Sequence, residues 1–110
     1  MRRRDVTGLP DDPLVAAAQF YARIVPDDLG GIDDLTLVFP AADHTHSAWR
    51  LAAIQSLARA RVPGRINAVA GGSEAARNAA VAYLGAAPGL TGQYLPLDDT
   101  GAGPVIPLAT

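Results

Sequence analysis

The stretch Arg65-Ile66-Asn67-Ala68-Val69-Ala70-Gly71-Gly72-Ser73-Glu74 decides the fold. Residues 65–70 read as a short β-strand, closed by the Gly-Gly pair. Ser73 then offers its hydroxyl as an N-cap, and Glu74 sets a negative charge in the first turn, where the helix dipole favours it. The helix that follows carries Ala75, Ala76, Ala79, Ala80, Val81, Tyr83 and Leu84 and ends between Gly85 and Pro88. Strand, glycine turn and capped helix in this order belong to an α/β chain with parallel strands.

Reading outward repeats the pattern. Pro63-Gly64 stops a helix over residues 47–61, and Pro40 stops a β-rich run, Leu35-Thr36-Leu37-Val38-Phe39, short and apolar enough to be a buried strand. Asp12 and Pro13 supply the N-cap and first position of an earlier helix over residues 13–25, and residues 26–34, with their Asp and Gly, form a loop. On the C-terminal side, residues 93–97 make a third strand, which Pro96 places at a sheet edge. The first strand is expected to leave the opposite edge unpaired. Residues 1–11 and 99–110 read as irregular, with Arg2, Arg3 and Arg4 as a solvated terminus. The expected fold class is α/β, one domain over residues 1–110, with a three-stranded parallel sheet and three helices.

The helical wheels point to more packing than one copy supplies. Helix 13–25 is nearly all apolar, with only Gln19 and Arg23 strongly polar. Helix 47–61 carries two apolar strips: Trp49, Ala53, Leu57 and Ala60 in one, Leu51, Ile54 and Ala58 in the other. Arg50 and Arg61 sit between them on one edge. Phe20, Tyr21, Ile24, Trp49, Ala53, Leu57 and Ala60 are therefore the expected interface residues of a homo-oligomer, a dimer or tetramer.

Composition excludes several functions. The 110 residues carry a net charge of −2 and have a pI near 5.5, so no phosphate-binding surface is expected and nucleic acid is not a partner. Without cysteine there is no disulfide and no thiolate metal site, which fits a cytoplasmic protein. Asp5, Pro10, Asp11, Asp12 and Pro13 interrupt any apolar run after the arginines, so neither a signal peptide nor a membrane span is expected.

The second half of the chain resembles the short-chain dehydrogenase/reductase family. Ser56-Leu57-Ala58-Arg59-Ala60 followed by Arg65-Ile66-Asn67-Ala68-Val69-Ala70-Gly71-Gly72 is similar to the end of that family's long catalytic helix and its "RVNAVAPG" strand. Ala80-Val81-Ala82-Tyr83-Leu84 and Leu90-Thr91-Gly92-Gln93-Tyr94-Leu95-Pro96-Leu97-Asp98 are similar to its "LxxxAxxVTGQxLxVDGG" ending. The resemblance is specific over residues 47–98 and extends to residues 13–39 only in element order. It implies half of a Rossmann-like domain. It also implies the helices through which full-length members pair in four-helix contacts.

The departures from that family bear on chemistry. The resemblance places its Tyr and Lys, four residues apart, on Asp43 and Ser47, and its Ser on Pro40. A carboxylate cannot do the phenol's proton transfer, and a serine supplies no ammonium to tune it. No strand-TGxxxGxG-helix sequence occurs, so no nicotinamide cofactor is expected to bind. A non-catalytic, oligomerising or partner-binding subunit is the expected function, either with itself or with a full-length short-chain dehydrogenase-like protein. Oxidoreductase chemistry would need a partner chain to supply the cofactor half and the Tyr/Lys pair.

Three clusters carry side-chain chemistry. Asp43, His44, His46 and Ser47 are weak candidates for a catalytic or metal site in a small enzyme or ligand-binding module, and a capped helix start explains them more simply. Gly71, Gly72 and Ser73 form a weak anion seat at a helix N-terminus. Asp27, Asp28, Asp33 and Asp34 read as turn residues before a hard-cation site. No metal site and no cofactor are expected.

Overall fold

The computed structural model describes residues 2–28, 33–98 and 101–102. Four parallel strands lie in sequence order: β1 (Arg2–Asp5), β2 (Leu35–Phe39), β3 (Ile66–Gly71) and β4 (Tyr94–Asp98). A two-residue β5 (Gly101–Ala102) pairs antiparallel to β4. Every residue of β2 and β3 is buried, as a strand covered on both faces requires.

The arginine run at the start is therefore not irregular. Arg2–Asp5 pair in register with Leu35–Val38, and Val6 N–H continues the ladder to the Val38 carbonyl at 2.8 Å. The unpaired backbone of β2 is a template for a strand, and an edge strand tolerates charge. The Arg3 guanidinium reaches Asp5, Glu74 and Asn78, tying this edge to a helix on one face of the sheet. At the other edge, β5 pairs at Leu97 and Asp98, just past Pro96, which has no N–H to contribute. Part of the C-terminal stretch expected to be irregular is thus strand, and residues 99–100 and 103–110 lie outside the described residues.

The first helical run is α1 (Pro13–Gln19), a π-helical turn (Phe20–Ile24) and α2 (Val25–Asp28). Asp12 caps it by accepting from Leu14 and Val15 N–H. It passes the expected end at residue 25 through Pro26. A proline removes an N–H and crowds the carbonyl four residues back, and the wider π register, with Val25 N–H on the Phe20 carbonyl, lets the helix accommodate it. Helix α3 (His44–Arg61) begins three residues earlier than expected, capped by Asp43. Helix α4 (Glu74–Gly85) is capped by the Ser73 hydroxyl on Ala76 N–H.

The helices make three layers. The first run and α3 cover one face of the sheet, where Phe20, Ile24, Leu35, Leu37, Phe39, Ile54 and Ile66 form the larger core. Helix α4 covers the other, over Val38, Val69 and Leu84. Helix α3 buries one face, not two strips: His46, Arg50, Ala53, Ile54, Leu57, Ala58 and Arg61. The arginines expected on an edge are at the middle of that face.

Asn67, fully buried, donates to the Leu90 carbonyl and accepts from Gln93 N–H, both at 3.0 Å, so the loop before β4 hangs on its amide. Thr91 and Gly92 close on the two backbone groups of Ile66. Arg65 donates to the carbonyls of Leu84, Gly85 and Ala87 and to the Asp34 carboxylate, capping the C-terminus of α4 with a cation. Gly71 and Gly72 both have positive φ, and a Cβ on Gly72 would lie 2.8 Å from that of Leu97.

Candidate functional site

In open α/β sheets, ligands bind beyond the carboxyl ends of the strands. Here that end holds a cleft of about 70 Å³. Leu9, Pro10 and Asp11 follow β1, Pro40, Ala41 and Ala42 follow β2, and α1 and α3 contribute Ala16, His46, Trp49 and Arg50.

His46 and Trp49 set one wall. His46 Nε2 donates to the Asp11 carbonyl at 2.8 Å, and Trp49 Nε1 donates to His46 Nδ1 at 3.0 Å. A carbonyl only accepts and an indole N–H only donates, so the ring carries its proton on Nε2 and its lone pair on Nδ1. Both nitrogens are committed, and neither is left for a metal or a proton transfer.

Arg50 is the charged group of the cleft, and it is 3% exposed. Its Nη1 donates to the Pro40 carbonyl at 3.0 Å and to the Tyr94 hydroxyl at 3.1 Å. The guanidinium carbon lies 4.6 Å from the Phe39 ring centre and 5.8 Å from that of Trp49. Its Nε is buried without a hydrogen-bond partner, and no carboxylate pairs with it among the described residues. A desolvated cation–π contact contributes about 2 kcal/mol, and each hydrogen bond from a charged donor about 1.5–3 kcal/mol. These neutral partners offset part of the cost of burying a charge. The sequence signal for this residue was its place at i+4 from His46 and i−4 from Ile54 on one helical stripe.

The expected candidates are scattered. Asp43 is exposed and caps α3, accepting from the backbone N–H and hydroxyl of Thr45. Those two bonds hold its carboxyl below the ordinary range. His44 and Ser47 are exposed, and His46 is buried, so the four do not converge. Among the described residues, no group of three His, Asp or Glu gathers as a metal site. Asp34 is bound by Arg65, which holds its carboxyl low, and the Asp33 carbonyl accepts from Arg61; the side chains of Asp27 and Asp28 lie outside the described residues. At Gly71-Gly72-Ser73 the first turn of α4 is already served by the Ser73 hydroxyl and Glu74, and Arg77 donates to the Gly71 carbonyl.

The residues expected at an interface divide. Phe20, Ile24, Ala53 and Leu57 are buried in this chain's own core, and Trp49 packs against it, in ring contact with Phe20 at 5.5 Å. One copy already covers Phe20, Ile24, Ala53 and Leu57, which corrects the expectation for these four, while Trp49 is half-buried. Tyr21 and Ala60 are exposed. Leu14, 81% exposed, and Val15 are exposed apolar groups outside that expected set, and Leu51 of the second strip is exposed as well. A shallower groove between α3 and the loop before β4 is lined by Gln55, Arg59, Val62 and Gln93.

Among the described residues, no helix is long and apolar enough to cross a membrane. The sequence profile of a family described as short chain dehydrogenase-like protein matches residues 4–97. Comparisons with curated proteins and with solved structures gave no match.

Proposed function

The chain belongs to the short chain dehydrogenase-like family, and we propose that within it the protein is a non-catalytic subunit that assembles with a second copy of itself. The observation that carries this reading is the outer face of the first helical run. Leu14 is 81% exposed, and Ala18, Tyr21 and Ala22 continue the stripe at helical spacing. Helix α1 has no charged side chain at all. Beside it, α3 exposes Ala48, Leu51 and Ala52. Exposed apolar side chains gathered on one helix face mark an interface. Small residues around a few large ones let two helix pairs approach closely about a twofold axis.

The lack of catalysis rests on the residues at the helix start. Asp43 caps α3 and Ser47 faces solvent, where the family resemblance puts Tyr and Lys. Neither side chain can take over that proton relay. A pair of substitutions, Leu14→Arg and Tyr21→Arg, tests the proposal by light scattering. The native chain should weigh as a dimer or tetramer and the double variant as a monomer with an unchanged far-ultraviolet spectrum. A double variant of native mass would place the contact elsewhere. Native protein that captures a full-length relative while remaining monomeric alone would replace self-assembly with a mixed complex.

A further inference from the structure

We propose that the cleft beyond β1 and β2 binds a small monocarboxylate, held by the Arg50 guanidinium. Arg50 lines the cleft, is 97% withdrawn from solvent by its 3% exposure, and has no carboxylate partner among the described residues. Nη1 is fully used by Pro40 and Tyr94, whereas Nε has no partner and Nη2 makes no hydrogen bond among the described residues. The unspent edge of the fork is the one that matches two carboxylate oxygens.

The surroundings select the ligand. A volume of about 70 Å³, at roughly 10–15 Å³ for each water it must hold, has room for a small monocarboxylate. Leu9, Ala16, Pro40 and Trp49 offer apolar surface to a methyl group. A phosphate dianion would need a second cation, and the lining has none: His46 has both nitrogens committed, and Asp11 is an acid. This site lies within one protomer, so it stands apart from the assembly proposal.

The chain's only tryptophan, Trp49, is in the wall and reports occupancy. Sodium acetate is titrated at pH 7.5 against sodium chloride of equal ionic strength, following Trp49 emission. A saturable, millimolar response to acetate is expected, weakened at least tenfold in Arg50→Lys, which keeps the charge but loses the planar fork. Arg50→Met should abolish it; if that variant does not fold, Arg50→Lys decides alone. The proposal is overturned if acetate gives no response beyond chloride, if Arg50→Lys responds as the native chain does, or if inorganic phosphate binds more tightly than acetate.

Discussion

Phe20→Ala separates core from interface. The native ring is fully buried, 5.7 Å from Phe39 and 5.5 Å from Trp49 between ring centres, and it lines a small cavity together with Leu37 and Ile66. Removing a buried phenyl ring costs about 3–5 kcal/mol, transfer and cavity together. Against a total stability of about 5–15 kcal/mol, that is a large fraction. Taking about 4 kcal/mol, Tm should fall by roughly 15 °C. Urea denaturation followed by far-ultraviolet dichroism measures the loss. Dichroism is preferred because the substitution alters the surroundings of Trp49. The loss should be the same at protein concentrations tenfold apart, because the contacts lie within one chain. A loss below about 1 kcal/mol, or one that shrinks as concentration rises, would refute the placement of Phe20 in the core.

Gly72→Ala should cost about 2–4 kcal/mol, from a positive φ and a Cβ 2.8 Å from that of Leu97, while Gly89→Ala, with open space around it, should be nearly neutral. The difference in urea midpoints checks this. Arg65→Met should cost about 3 kcal/mol by releasing three carbonyls at the end of α4, and hydrogen exchange should quicken in the last turn of that helix. Arginine partners hold the Asp5, Asp34 and Glu74 carboxyls below their ordinary range, and Thr45 does so for Asp43. A depressed carboxyl stabilises the fold fully above its unfolded value, about 4, and the contribution is lost as pH falls through the folded value. Thermal stability should therefore decline below about pH 4, less steeply in Asp34→Asn, and a native-like acid limb in that variant would remove Asp34 from the account.

The sequence was most legible where glycine, proline and capping residues punctuate it. Pro40, Pro63-Gly64 and Ser73 marked real boundaries, because each acts on its own stretch of backbone. It was least legible where tertiary contacts override local preference. Arg2–Asp5 has no apolar alternation, and only the open edge of β2 makes it a strand. On α3, the wheel shows which residues align but not which line faces the sheet. Arg50 is buried because Pro40, Tyr94 and two aromatic rings converge on it from distant parts of the chain. The candidate site was legible only in part for the same reason: of the polar cluster at residues 43–47 only His46 lines the cleft, and its charged group is Arg50, which lies between the two apolar strips of α3.

The most direct test of the central claim is the solution mass of the native chain by light scattering, with and without NADH or NADPH. The account predicts a dimer or tetramer whose mass and stability are indifferent to nucleotide. A monomer at all concentrations, or a species that nucleotide stabilises, would contradict it.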